Sequence, residues 1–245
     1  MARITVIVVA AGKGTRFGGS EKKIFAKIDG RAMFLRSVEH FINRDDVIQT
    51  ILVIAPEDQE DVKQKFGANL GFMGVQLATG GPTRTDSVAN ALAVVREDAE
   101  LVAIHDAARP CVSTAMIDAV FQEAAKTGAA ILAAPLRGTI KRASESGFVD
   151  ATVPREGLWE AQTPQVFKRH LIIDAYGRRA QVTEPITDDA QLVEATGHPV
   201  ALVESDFTNL KITTRADITL AAAILKSRPK PVHKGPMGPF QEAQW

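Results

Sequence analysis

The sequence predicts an α/β protein: a mostly parallel sheet with helices on both faces and a protruding two-stranded hairpin late in the chain. Three observations carry this. Short, mainly apolar runs, Ile4 to Val9, Ile48 to Ala55, Leu101 to Ile104 and Ala129 to Pro135, read as buried strands. Amphipathic stretches of helical period separate them, the alternation of parallel βαβ units. Between Leu136 and Phe167 that alternation stops and polar-tipped extended segments replace it.

Taken in order, the first strand empties into AAGKGTRFGGSEKK, small residues and glycines with cations close behind. Ile24 to Ile28 reads as a short extended piece, Asp29-Gly30 as a turn, and Ala32 to Asn43 as a helix with Phe34, Val38, Phe41 and Ile42 on one side. Pro56 starts a charged helix running to about Phe66. Val75 to Ala78 is a strand that ends at GGPTR, and the helix Thr85 to Arg96 turns Val88, Ala91, Leu92 and Val95 toward the sheet. The strand Leu101 to Ile104 ends at HDAARP, after which Ser113 caps a helix with Met116, Ile117, Val120, Phe121 and Ala124 on its inner face.

Thr139 to Arg142 and Phe148 to Val153 flank a turn through Ser144 to Gly147, which makes a hairpin arm of about residues 136–162. A bare hairpin is marginal in water, so this one is expected to pack on the same hairpin of a second subunit. Helices near Lys168 to Tyr176 and Thr187 to Ala195, the segments Val200 to Glu204 and Asn209 to Ile212, and a last helix Arg215 to Leu225 complete the fold. Residues 1–226 read as one domain. Residues 227–245, with prolines and glycines throughout and no periodicity, read as a disordered tail.

Composition excludes several classes of function. With 29 basic and 29 acidic residues there is no global field to attract nucleic acid. No apolar run approaches a membrane span, and Met1-Ala2-Arg3 leads directly into a strand without a signal peptide, so a cytoplasmic protein is expected. The single cysteine, Cys111, can form neither an intrachain disulfide nor a metal cluster.

The loop after the first strand has the chemistry of a phosphate cradle. Gly12 and Gly14 allow a sharp turn that brings backbone N–H groups close to one anion, and Lys13, Arg16, Lys22 and Lys23 add charge. A Walker loop would need glycine at position 7, which is Ile7; a dinucleotide fingerprint would need it at position 17, which is Phe17. Open parallel sheets bind ligands at the strands' carboxyl ends, where this loop, the segment Gly80 to Ser87, and Asp106 all fall.

Seven separated strings, AAGKGTRFGGSEKK, GGPTRTDSV, HDAARPC, AAPLRGTIKR, GLWEAQTPQVF, ITDDA and NLKITT, resemble those of 2-C-methyl-D-erythritol 4-phosphate cytidylyltransferases, in the family's order, over roughly residues 3 to 225. The resemblance implies a Rossmann-like sheet with a dimerisation arm, and transfer of CMP from CTP to methylerythritol 4-phosphate with release of pyrophosphate. It implies Arg16 and Lys23 as the catalytic cations, with Lys23 preferred to Lys22 because Ile24-Phe25 then take the apolar positions that follow. Ala10, Ala11, Gly12 and Gly14 would hold the triphosphate and base, while Gly80, Gly81, Arg84 and Ser87 would line the cytidine pocket. Asp106 would contact hydroxyls and help place Mg²⁺, with Arg109 supporting its loop; Arg155, Lys211, Thr139 and Thr163 would position the acceptor. Thr139 and Arg155 would serve the other subunit's site if the hairpins are exchanged.

The pattern departs from the family at Val9 and Lys22, where proline is frequent, and at Gly138, where aspartate is common. His105 reads as a packed structural residue, because an ionised phosphate nucleophile needs no general base. The nearest alternative is a cytidylyltransferase for another polyol phosphate, such as ribitol 5-phosphate. More remote is a non-catalytic nucleotide-binding protein.

Overall fold

The computed structural model describes residues 2–12, 14–18 and 22–228. Lys13 and the tail from residue 229 onward lie outside the described residues. Strand β1 (Ile4–Val9) is central. It pairs in parallel with β4 (Val47–Ile54) on one side and with β6 (Leu101–Asp106) on the other. β5 (Val75–Thr79) extends the sheet beyond β4. On the far side, β10 (Trp159–Lys168) lies antiparallel between β6 and β7 (Ala129–Pro135), and β11 (Ala201–Glu204) closes that edge, giving the order β11-β7-β10-β6-β1-β4-β5. β2 (Lys27–Ile28) and β3 (Arg31–Ala32) form a two-residue ladder, and β8 (Ile140–Ala143) with β9 (Val149–Val153) makes the separate hairpin.

Alternation along the strands explains both faces. Ile4, Val6, Val8, Leu52 and Ile54 point to a core shared with α1 (Met33–Glu39), α2 (Gln59–Phe72) and α4 (Thr114–Thr127). Ile7, Ile51, Val53, Val102 and Ile104 point the other way, to α3 (Arg84–Leu92), α5 (Arg169–Gly177) and α6 (Asp189–Ala195). A third, smaller cluster lies under α7 (Ala216–Ser227). It holds Phe17, from the turn after the glycine loop, and Ile212, the neighbour of Lys211, against Ile28, Met33 and Cys111.

Several elements differ from their sequence reading. Lys23–Phe25 is a 3₁₀ turn rather than extended chain, because Ile24 must bury inward while the backbone turns toward β2. Pro56 opens a 3₁₀ turn, and the α-helix after it runs on to Phe72 through Gly67 and Gly71; tertiary packing of Leu70 outweighs the low helix propensity of glycine. The first helix stops at Glu39 instead of Asn43, and Asn209 to Ile212 is irregular chain. The third helix starts at Arg84, since Thr83 caps it through a reciprocal pair of bonds with Asp86.

Candidate active site

β6 lies on one side of β1 and β4 on the other, so the crevice at their carboxyl ends is a switch point of the sheet. A cavity of about 660 Å³ occupies it. Ala10, Ala11 and Gly12 form one wall, Gly80 to Arg84 and Ser87 another, and Lys23, Asp106 and Lys211 reach in from three separate segments. The two loop walls touch closely. A Cβ on Gly80 would sit 2.5 Å from that of Ala11, so only glycine fits there. Ser87 is buried with its hydroxyl spent on the loop: it donates to the Thr83 carbonyl at 2.8 Å and accepts from Gly81 N–H at 3.0 Å.

Ion pairs organise the β6 side. Asp106 accepts from Arg84 Nε at 3.3 Å and from Lys211 Nζ at 2.6 Å. Arg84 also donates through Nη2 to Asp189 at 2.7 Å, and the Tyr176 hydroxyl donates to the other oxygen of Asp189 at 2.5 Å. Burial opposes ionisation of Asp106, but Arg84 and Lys211 outweigh it and hold the carboxyl far below the usual range. Burial likewise works against the Arg84 guanidinium, yet Asp189 and Asp106 raise its pKa. Both groups are therefore charged at any physiological pH.

Behind Asp106 stands a neutral scaffold. His105 is fully buried, and burial pushes its pKa down to about 3. Its Nε2 lies 3.1 Å from the Arg109 carbonyl, which can only accept, so that nitrogen carries the proton and Nδ1 accepts from Thr163 Oγ1 at 3.2 Å. The same Thr163 oxygen receives the Asp106 N–H at 3.0 Å. Arg109 is buried too; its Nη1 donates to the Asn209 carbonyl at 2.7 Å. Ile212 N–H donates to the Ala108 carbonyl, so the loop carrying Lys211 is tied to the end of β6 on both sides of that lysine.

On the loop side, Gly14 has φ +61°, and a Cβ there would lie 2.7 Å from Lys23 Cβ; the glycine makes room for the lysine stem. Burial first, then the like charges of Lys211 and Arg16, lower the Lys23 pKa against the opposing pull of Asp106. Arg16 itself is exposed and does not line the cavity. Lys22 points away and pairs with Asp58.

Thus Ala10, Ala11, Gly12, Lys23, Gly80, Gly81, Arg84, Ser87, Asp106 and Lys211 come together at one cavity, with Gly14 directly behind Lys23. Arg109 and Thr163 lie beneath its floor. Thr139 and Arg155 are exposed on the arm, outside the lining, where Arg155 donates to the Arg137 carbonyl. Sequence reasoning missed Asp189 and Tyr176. The signal was present in ITDDA: Asp188 caps α6 through the Gln191 N–H, whereas the next acid falls on the helix face that carries Ala190, Leu192 and Val193 inward. An acid on a buried face requires a partner.

For a divalent cation, no cluster of three or more potential ligands exists among the described residues. Asp106, ionised and at the cavity wall, is the protein oxygen donor that fits Mg²⁺ held mainly by phosphates and water. No helix among the described residues is long and apolar enough to cross a membrane.

Residues 4–227 match the sequence pattern of the family described as IspD, 2-C-methyl-D-erythritol 4-phosphate cytidylyltransferase. The chain belongs to that family. The protein of that description from Rhodopirellula baltica is 44% identical over 236 residues, covering 91% of this chain and 95% of its own. The crystal structure of the 2-C-methyl-D-erythritol 4-phosphate cytidylyltransferase from Thermus thermophilus superposes with a TM-score of 0.74 at 30% identity, over 92% of this chain and 100% of the other. That of 4-diphosphocytidyl-2C-methyl-D-erythritol synthase from Anaerococcus prevotii gives a TM-score of 0.77 at 29% identity, over 92% and 99%. The family fold thus agrees with the seven-stranded sheet and separate hairpin, and membership makes this chain a cytidylyltransferase.

Proposed function

We propose that the protein transfers CMP from CTP to the phosphate of 2-C-methyl-D-erythritol 4-phosphate, yielding 4-CDP-2-C-methyl-D-erythritol and pyrophosphate, with Mg²⁺. Family membership supports the reaction, and one observation carries the site: Lys23, Asp106 and Lys211, from three distant segments, converge on the cavity beside the glycine loop. An oxygen of the acceptor phosphate attacks the α-phosphorus of CTP as the bond to the β-phosphate oxygen breaks. The nucleophile is already ionised, so no proton need be removed. His105, neutral and with both ring nitrogens engaged, is suited to support rather than to act as a base.

Charge is the remaining problem. Ala10, Ala11, Gly12 and Gly14 would offer backbone N–H groups to the triphosphate, while Gly80, Gly81, Arg84 and Ser87 would receive the cytidine. Lys23 and Arg16 would stabilise the negative charge that builds on the five-coordinate phosphorus. Mg²⁺, held by Asp106, would neutralise triphosphate oxygens. Lys211 would hold the acceptor, with Arg109 and Thr163 setting the loops that carry Lys211 and Asp106. Thr139 and Arg155 would act across a homodimer, reaching the other copy's acceptor from the arm. Phe148 is 75% exposed and Val149 65% on that hairpin, apolar surface suited to burial against a partner.

Purified protein incubated with CTP, Mg²⁺ and each polyol phosphate tests this. Pyrophosphate should appear with methylerythritol 4-phosphate and stop on chelation with EDTA. Release with ribitol 5-phosphate alone would overturn the acceptor assignment.

A further inference from the structure

We propose that Lys22 and Asp58 form an ion-paired latch that positions Lys23 in the cavity, making both of them positioning residues for the transfer. The proposal rests on the role given to Lys23 above. The turn Lys23–Phe25 is docked on α2 at both of its ends. At the far end the Phe25 ring stacks on Phe66 with centroids 6.2 Å apart and planes 11° from parallel, and the Lys65 ammonium stands 4.6 Å from the Phe25 centroid. At the near end the attachment is the Lys22 ammonium on Asp58 Oδ1, at the start of α2.

Asp58 is buried, and among the described residues Lys22 is the one side chain bonded to its carboxylate. A buried carboxylate without a partner is costly, so this pair is held more firmly than an ordinary surface pair. The two lysines leave the backbone in different directions. Lys22 takes the acidic start of α2, where Glu57 and Asp61 add to the attraction. Lys23 is left to run past Gly14 into the cavity. Without the Lys22–Asp58 pair or another restraint at that position, the turn would lose its near anchor. A misplacement of about 1 Å in a positioned charge is enough to slow a reaction severely.

The backbone itself supplies a diagnostic variant. Lys22 has φ −63°, the value a proline ring imposes, and its carbonyl accepts from Phe25 N–H at 3.0 Å, a bond that proline retains. Lys22→Pro therefore restrains the turn without an ion pair, whereas Lys22→Met removes the same charge and restrains nothing. In the full-length enzyme, Lys22→Met and Asp58→Asn should each lower kcat about tenfold with KM for CTP within about twofold, and the double variant should be no slower than either. Lys22→Pro should keep near-parental kcat and be indifferent to Asp58→Asn. Parental turnover in Lys22→Met, a Lys22→Pro as slow as Lys22→Met, or a loss confined to KM would each overturn the latch. Competitive acetylation read by mass spectrometry separates this from the assigned reaction: Lys23 should label about threefold faster in Lys22→Met but not in Lys22→Pro, whichever acceptor the enzyme uses. Equal labelling in all three proteins would reject the latch while leaving the reaction standing.

Discussion

The two sides of the cavity handle charge in opposite ways. On the β6 side, Arg84, Asp106, Lys211 and Asp189 neutralise one another through contacts of 2.6 to 3.3 Å, and Tyr176 completes the set from the core. On the loop side, Lys23 and Arg16 make no ion pair among the described residues, and Lys23 is further desolvated. Charge paired within the protein holds the walls in place, and its cavity-facing members, Asp106 and Lys211, would meet ligand from fixed positions. Charge left over is what an incoming polyphosphate can use, and the two kinds should respond differently to substitution.

Asp189→Ala should have the largest effect on folding. It leaves the part-buried Arg84 with Asp106 alone and the buried Tyr176 hydroxyl without its acceptor, so unfolding in urea should show a loss of about 1–3 kcal/mol. A loss below about 1 kcal/mol would mean the network is not a scaffold. Lys23→Ala should do the reverse, lowering kcat about 10²- to 10³-fold with an unaltered melting temperature. Equal damage to stability would erase the contrast between the two sides.

Arg155→Ala should raise KM for the acceptor about tenfold and leave that for CTP unchanged. Mixing it with Lys23→Ala should recover activity if the arms are exchanged, because one composite site then has both side chains. No recovery after subunit exchange would return Arg155 to its own chain. The smallest effect is one of pH. In the role proposed for it Lys23 must be protonated, and its pKa is lowered from 10.5, so kcat should fall as pH rises through a value below the ordinary lysine range. An alkaline limb at or above 10.5 would argue that Lys23 is solvated.

Much of this was legible in the sequence, for identifiable reasons. Strands buried on both faces announce themselves as apolar runs, and Ala129–Pro135 matches its reading at both ends. Gly80 and Gly81 are flagged through the resemblance, and the structure adds the reason a Cβ is excluded: it would meet Ala11 Cβ at 2.5 Å or Asp86 Cβ at 2.4 Å. At Asp189 the period showed an acid on a buried helix face but not its partners, since Arg84 lies far away in the chain and Tyr176, which bonds Asp189, carries no local signal of that contact. The extended reading of Ile24 to Ile28 fits Lys27–Ile28 and fails at Ile24 and Phe25 for a related reason: a short, mainly apolar piece looks the same whether it continues straight or turns to dock on a helix. The choice of Lys23 over Lys22 from the register agrees with the cavity lining, while the pairing of Lys22 with Asp58 depends on a helix start that the sequence placed but could not orient.

β10 has one more consequence. Its first residue, Trp159, pairs with Pro135 at the root of the arm; farther along, Thr163 holds the Asp106 N–H, and Gln165 accepts the N–H groups of Asp189 and Ala190 at the start of α6. One strand, its register with β7 broken between Ala161 and Gln165, therefore runs from the root of the arm to the Asp106 and Asp189 segments. Anything that settles on the arm bears on the same strand that holds those two segments in place.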